Sequence, residues 1–260
     1  MRNILPAIDP SLEKEKIISF LKKTFQEQKI NRAVIGLSGG IDSTLSFYLL
    51  KEALPVGSIF AFHLPYYDSH SKNIDLILSK TCLPKKNFQT ISVRLIVDSI
   101  KNALHLVSND EHDQKIRIGN SMARARMIVL FDQAKKYNAL VCGTENKSEH
   151  FLGYYTRFGD EASDIEPIRH LYKTQIYELA KYLNVPQEII KTQPTAGLWE
   201  GQTDERQFGF TYEEADQVLY LYYDKNLSLK ELKKYGFKNG EKIISLAKAN
   251  EYKHEVPYTI

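Results

Sequence analysis

Arg32-Ala33-Val34-Ile35-Gly36-Leu37-Ser38-Gly39-Gly40-Ile41-Asp42-Ser43-Thr44 is a β-branched apolar run that breaks at a glycine pair and leads into Leu45, Phe47, Tyr48, Leu49 and Leu50. The pattern predicts a strand over 32–37, a turn, and a helix from Ser43 to Leu54. Gly39 and Gly40 carry no Cβ and tolerate positive φ, so the turn can aim several backbone N–H groups at one point. The following helix adds unpaired donors and about half a positive charge at its N-terminus, and Ser38, Ser43 and Thr44 add hydroxyls. An anion is therefore expected here. No lysine follows the glycines and there is no G-x-G-x-x-G, which excludes the phosphate loop of kinases and GTPases and the dinucleotide fingerprint. Asp42 would repel a polyphosphate unless a divalent cation lay between them, so the expected ligand is a metal-bridged pyrophosphate.

Working outward, apolar strands alternate with amphipathic helices through two-thirds of the chain, the pattern of a doubly wound parallel α/β sheet. Asp9-Pro10 opens a helix carrying Leu12, Ile17, Ile18 and Leu21. Further strands are predicted over 57–64, 88–93 and 139–142, with helices near 69–79, through Leu104 and Leu106, and from Lys115 to Tyr137. Residues 143–169 show almost no periodicity and read as a long functional loop. Ile176, Leu179, Ala180 and Leu183 form a helical core stripe. Residues 191–211, which hold the sole tryptophan, read as a second loop. Residues 1–260 are read as one domain with a helical C-terminal extension.

Composition sets outer bounds. The 260 residues are 43% apolar, enough for a substantial core, and the net charge of +3 gives no reason to expect nucleic acid. Two cysteines provide neither a disulfide framework nor a zinc site, and Cys142 falls in an apolar strand where a buried thiol is expected. The first ten residues lack a signal-peptide core, and no apolar run approaches the roughly 20 residues of a membrane span. The expected setting is reducing and cytoplasmic. The seven histidines show no metal-ligand spacing.

The segment Ser38-Gly39-Gly40-Ile41-Asp42-Ser43 resembles the SGGxDS pyrophosphate loop of the ATP pyrophosphatases, which cut ATP between its α and β phosphates to adenylate a substrate. Ligands of an open parallel sheet bind at the carboxyl ends of the strands, so the segment after Gly143 should share the crevice. There the likeness narrows. Gly143-Thr144-Glu145-Asn146-Lys147-Ser148-Glu149, Phe158-Gly159-Asp160, Pro167-Ile168 and Lys173 resemble the corresponding stretch of the NAD synthetases, as do Gly119-Asn120, Arg124, Arg126 and Pro194-Thr195-Ala196. These enzymes adenylate the nicotinate carboxylate of deamido-NAD with ATP, and ammonia then displaces AMP.

Carried over by position, the resemblance implies that Gly36, Leu37, Ser38, Gly39, Gly40, Ile41, Asp42, Ser43 and Thr44 receive the pyrophosphate. It implies that Asp42 and Glu149 hold Mg²⁺, that Arg124 and Thr144 contact ATP, and that Lys173 and Thr195 neutralise phosphate oxygens. Asn120, Arg126, Tyr154, Arg157, Asp160 and Asp164 would line the deamido-NAD and ammonia side. Asp160 would hold ammonium and accept its proton, because ammonium has no lone pair with which to attack. A glutamine-using version needs an amidase domain for which this length leaves no room, so ammonia is expected free or from a separate subunit. The family also implies a homodimer, and Ile128, Val129, Leu130 and Phe131 give the 115–137 helix a broad apolar face.

Blander readings stand beside these. Asp42 could cap its helix, Glu149 could be a solvated carboxylate, and Asp160 could belong to a plain turn. Arg124 and Arg126 lie two apart on a helix and point to different faces, so at least one should be solvated. Glu145 stands where the family often has Asp, Glu161-Ala162-Ser163 replaces a more glycine-rich segment, and Tyr252 and His254 replace His and Arg in the tail. Two other functions share the loop: adenylation of a tRNA base, disfavoured by the near-neutral charge, and a non-catalytic nucleotide sensor, disfavoured by the presence of Asp42, Glu149 and Lys173 together.

Overall fold

The computed structural model describes residues 4–67, 71–106, 112–199, 201–255 and 257–259. Four short strands, β1 (Ala33–Gly36), β2 (Ile59–His63), β3 (Phe88–Thr90) and β4 (Leu140–Cys142), make one parallel sheet in the order β3-β2-β1-β4. In register, Val34 lies between Phe60 and Val141, and Ile35 between Ala61 and Cys142. Side chains alternate across the sheet, as a period of two requires. Ala33, Ile35, Ile59, Ala61 and Cys142 enter one apolar cluster, whereas Val34, Phe62 and Val141 enter another. The chain runs from β1 outward to β3 and then returns to the far side of β1 with β4. That reversal opens a crevice at the carboxyl ends of β1 and β4.

Helices cover both faces. The first cluster takes Ile17, Leu21 and Phe25 from α1 (Pro10–Gln28), Leu45 and Leu49 from α2 (Ile41–Ala53), and Ile74 and Ile77 from α3 (Lys72–Thr81). The opposite cluster takes Val97 from α4 (Arg94–Ala103) and Ile118, Met122 and Ala125 from α5 (His112–Tyr137). Asp9 caps α1 by accepting the N–H groups of Ser11 and Leu12, and Pro10 starts it. Of the predicted apolar residues of this helix, Ile17 and Leu21 are buried but Leu12 is exposed. α2 begins at Ile41, two residues before the predicted start, because Gly40 already serves as its N-cap. The predicted start of the third helix, near 69, lies outside the described residues.

The remainder is helical: α6 (Lys147–Leu152), α7 (Lys173–Tyr182), α8 (Gln187–Ile190), α9 (Asp204–Phe208), α10 (Tyr212–Leu219), a π turn over Tyr220–Asp224, α11 (Leu229–Leu232) and α12 (Gly240–Asn250). Leu152, Tyr172, Phe208, Val218, Ile243 and Ile244 share its core. The seam with the sheet is polar. The buried Asp216 accepts Ser148 Oγ–H at 2.5 Å on one oxygen, and the N–H and Oγ1–H of Thr174, both at 2.8 Å, on the other. Burial pushes its carboxyl up to about 6 even against these donors. One carboxylate from α10 thus fixes the starts of both α6 and α7.

Two predicted loops contain helices. α6 lies inside 143–169 and is too short to show a period, yet it carries a capping box: Asn146 accepts Glu149 N–H and Glu149 answers on Asn146 N–H. α9 lies inside 191–211. The tail is seated on the turn after α6, with Lys253 Nζ donating to Gly153 O at 2.6 Å and the His254 ring bonded to His150 O at 2.8 Å. Among the described residues no helix is long and apolar enough to cross a membrane.

Candidate active site

At the carboxyl end of β1, Leu37 N–H bonds Phe62 O at 2.8 Å and His63 Nδ1 bonds Leu37 O at 2.9 Å, so the base of the glycine turn is held by β2. Gly39 has φ of +86°, and a Cβ there would lie 3.0 Å from Ser71 Oγ and 3.2 Å from Asn73 Cβ. Only glycine meets both demands at this position. The hydroxyls brace the turn from within: Ser38 Oγ and Ser43 Oγ are 3.0 Å apart, Gly40 N–H donates to Ser38 Oγ at 3.2 Å, and Thr44 Oγ1 donates to Gly40 O at 2.7 Å. Gly40 has no side chain with which to cap α2. The N–H groups of Ile41, Asp42 and Ser43, the first turn of that helix, are therefore open to an external anion.

Beside the turn stands a charged cluster. Lys173 Nζ, on a side chain only 2% exposed, lies 2.5 Å from Asp42 Oδ2 and 3.3 Å from Glu149 Oε1. Asn146 Nδ2 donates to the other Asp42 oxygen at 3.0 Å. Asp204 acts on the same lysine through its charge, and the Tyr212 ring lies 5.3 Å from Nζ. Burial alone would lower the lysine's pKa; Asp42 and Glu149 outweigh it and keep Lys173 protonated. Burial also pushes Glu149 up to about 8, so this carboxylate needs a cation beside it to stay ionised.

With Glu149 ionised, Asp42, Glu149 and Asp204 outnumber the one ammonium, a donor set that suits a divalent cation. Among the described residues no group of three or more His, Cys, Asp or Glu side chains is arranged to hold a metal. Mg²⁺ is commonly held by one or two carboxylates and completes its shell with water and phosphate oxygens, so Asp42 and Glu149 fit it.

The other predicted residues fall in several places. Asn120, Thr156 and Asp160 form a chain, with Thr156 Oγ1 donating to Asn120 Oδ1 and Thr156 N–H to Asp160 Oδ1, both at 2.8 Å. Asp160 has an exposed surface, yet crowding by protein raises its carboxyl pKa. Arg126 bonds Leu64 O at 3.0 Å and feels the Asp160 charge, while Arg124 is exposed and donates to Arg157 O at 3.3 and 3.2 Å. The two arginines thus diverge, as their spacing requires. Asp164 Oδ2 accepts Val141 N–H at 2.7 Å at the edge of β4, on the rim of a 460 Å³ cavity shared with Tyr155, Phe158, Glu166, Arg169 and Lys253. Arg157 lies over the Phe158 and Tyr252 rings. Thr144 is half-buried just after β4, and the exposed Thr195 uses its hydroxyl to accept Gly197 N–H.

Sequence reasoning passed over Asn146, Asp204 and Tyr212. Asn146 had a readable signal in its three-residue spacing to Glu149. Asp204 and Tyr212 had none, since their place in the cluster depends on long-range folding.

A parallel sheet with a switch-point crevice, a lysine-free glycine turn and a carboxylate pair beside it define an α/β protein of the ATP pyrophosphatase type. The comparisons narrow this to one family. Residues 13–257 match the family described as NAD synthase, and the chain belongs to it. It is 41% identical over 244 residues to the NH(3)-dependent NAD(+) synthetase of Fusobacterium nucleatum, covering 93% of this chain and 92% of that protein. It is 38% identical over 253 residues to the enzyme of the same description from Methanocaldococcus jannaschii, covering 94% of each. Among solved structures, the NMN synthetase of Francisella tularensis superposes with a TM-score of 0.80 at 31% identity over 97% of this chain and 99% of that one. The NH3-dependent NAD synthetase of Campylobacter jejuni gives 0.73 at 29% over 98% and 100%.

Proposed function

We propose that the protein is a ligase that converts deamido-NAD to NAD with ATP and ammonia, and that residues 1–260 act as one such domain. The observation that carries this reading is the sharing of Lys173 Nζ by Asp42 and Glu149 beside the glycine turn. In the first half-reaction an oxygen of the nicotinate carboxylate attacks the α-phosphorus of ATP, the bond to the β-phosphate breaks, and pyrophosphate leaves. Gly36 to Thr44 receive it on the open N–H groups at the start of α2, Lys173 offsets its charge, and the Thr195 hydroxyl donates to a phosphate oxygen. Arg124 and Thr144 hold the rest of ATP. Asp42 and Glu149 would hold Mg²⁺, which supplies charge neutralisation on the phosphates.

In the second half-reaction ammonium gives a proton to Asp160. The freed lone pair attacks the acyl carbon, the bond to AMP breaks with its electron pair on AMP, and the nitrogen loses its second proton to solvent. A carboxyl raised by crowding is better matched to this task than one at its ordinary value. Asn120, Arg126, Tyr154, Arg157 and Asp164 would orient the dinucleotide. Leu95, Leu104 and Ile128, exposed on α4, just beyond its end and on α5, support a homodimer, and the free cysteines Cys82 and Cys142 suit a reducing, cytoplasmic setting.

The test follows AMP, pyrophosphate and NAD together from ATP, Mg²⁺, deamido-NAD and ammonium chloride. NAD formed in step with AMP is expected, and pyrophosphate without NAD would overturn the nitrogen donor. The likeness to an NMN synthetase favours a second reading in which the substrate is the mononucleotide of nicotinic acid. A parallel assay with that mononucleotide decides by the ratio of kcat/KM values.

A further inference from the structure

Asp204 is the first residue of α9, where an acidic side chain ordinarily faces solvent and complements its own helix dipole. Here it is 3% exposed and turned inward. Oδ2 accepts the Tyr212 hydroxyl at 3.0 Å, and Oδ1 lies 3.2 Å from the Tyr154 hydroxyl, which shares its proton with Gln207 Oε1 at 2.9 Å. Those tyrosines come from the turn after α6 and the start of α10. Burial raises the Asp204 carboxyl, and Lys173 and the two phenols pull it back. The same residue anchors the segment that precedes it, since Asp204 N–H donates to Pro194 O at 3.1 Å.

That segment crosses from the β2 side of the crevice. Thr192 Oγ1 accepts Asn73 Nδ2 at 3.3 Å, and Leu198 O accepts the Tyr67 hydroxyl at 3.2 Å. The Leu198 side chain packs on Gly119 of α5, where a Cβ would come within 2.7 Å of it. Gln202 continues the connection by accepting Leu198 N–H at 2.8 Å and donating to Gln207 Oε1 at 3.0 Å.

We propose that Asp204 is a positioning residue for the reaction: it couples the 192–199 segment to Lys173, its carboxylate holding Tyr154 and Tyr212 and its charge opposing drift of the lysine head. The proposal rests on the reading of Lys173 as a phosphate-facing group. Two features separate it from simple structural support. Asp204 bonds three separate segments, at Tyr154, Pro194 and Tyr212, and its charge acts on a group that must exchange partners when phosphate arrives.

The experiment compares wild type with Asp204→Asn, and with Tyr212→Phe as a second variant that keeps the ring and the Asp204 charge. Asp204→Asn is expected to lower kcat by at least tenfold, with the KM for ATP changed by less than about threefold and the melting temperature within a few degrees. Emission of Trp199, the only tryptophan, is expected to shift to the red in Asp204→Asn without any ligand. Tyr212→Phe should show a red shift in the same direction with a smaller fall in kcat, because the carboxylate charge remains. Wild-type kcat and emission in a folded Asp204→Asn would overturn the proposal. So would a kcat loss in Tyr212→Phe equal to that of Asp204→Asn, since the charge would then do nothing. Failure of the functional reading is distinguishable, because it appears as absence of NAD from the wild type, whereas the emission shift needs no turnover.

Discussion

The two halves of the candidate site are built on different length scales. The glycine turn is held mainly by bonds between residues two to five apart, Ser38 to Ser43 and Gly40 to Thr44 among them. The lysine cluster joins Asp42 to Asn146 across 104 residues and to Lys173 across 131. A turn of the first kind is encoded where it stands and can form early, whereas the second exists only once sheet and helical region have docked. The anion half should therefore tolerate local changes in the C-terminal helices better than the cation half. Asp216, which fixes the starts of α6 and α7, is what makes the second half dependent on docking.

The sharpest way to break this contrast is at Lys173. Lys173→Met leaves Asp42 and Glu149 facing each other without their cation, at a stability cost of about 3–5 kcal/mol, and on the proposed reading of Lys173 as a phosphate-facing group activity should fall by about a thousandfold. Urea melts measure the first effect and pyrophosphate release the second. Added Mg²⁺ should raise the melting temperature of the variant more than that of the wild type, because the vacated charge is then supplied externally. Equal shifts would show that Asp42 and Glu149 do not bind the metal together.

Gly39→Ala attacks the local half. With φ at +86° and Ser71 Oγ 3.0 Å from the new methyl carbon, the turn must move. The expected stability loss is only about 1–2 kcal/mol, because the strain is confined to one turn, while activity falls by about a hundredfold as the N–H groups lose their common aim. A larger stability loss than that of Lys173→Met would reverse the ordering of the two halves.

Asp216 tests the docking. Its carboxyl is raised from the ordinary 3.8 to about 6, so between those values the folded protein binds more protons than the unfolded chain. This contribution makes stability fall as pH rises from about 4 to 6, and above that the full cost, up to roughly 3 kcal/mol, remains. Relative to Asp216→Asn, the wild type should therefore be more stable near pH 4 than at pH 7. Urea midpoints of both proteins across this range measure the difference, and a gap independent of pH would mean that Ser148 and Thr174 hold the carboxylate at its ordinary value.

The same contrast explains what could be read in the sequence. The strand, turn and helix at 33–53, the alternation of parallel strands with helices and the helices around Ile17 and Ile176 follow local period and glycine chemistry, and all appear in the fold. α6 and α9, of six and five residues, offer too few positions for a period, so 143–169 and 191–211 read as loops although each holds a helix. Asp42 and Lys173 are visible as charges in the right segments, but that Lys173 bridges Asp42 to Glu149 is a property of the docked fold. Asp204 and Tyr212 are legible only in three dimensions.

Asp164 is the smallest test, because it stands on both sides of the contrast. It was expected to face the dinucleotide, and it lies on the cavity rim, yet one of its oxygens accepts Val141 N–H at the edge of β4. An asparagine can keep that bond through its carbonyl oxygen while losing the charge. Asp164→Asn should therefore change stability by less than about 0.5 kcal/mol, whereas Asp164→Ala, which strands the Val141 donor, should cost about 1 kcal/mol. If the carboxylate also meets the substrate, the asparagine variant raises the KM for deamido-NAD by a few fold and leaves that for ATP unchanged. An unchanged KM in both variants, with the stability difference intact, would assign Asp164 to the sheet edge and leave Arg169 and Lys253 as the cationic side chains with which this cavity could meet an anionic substrate.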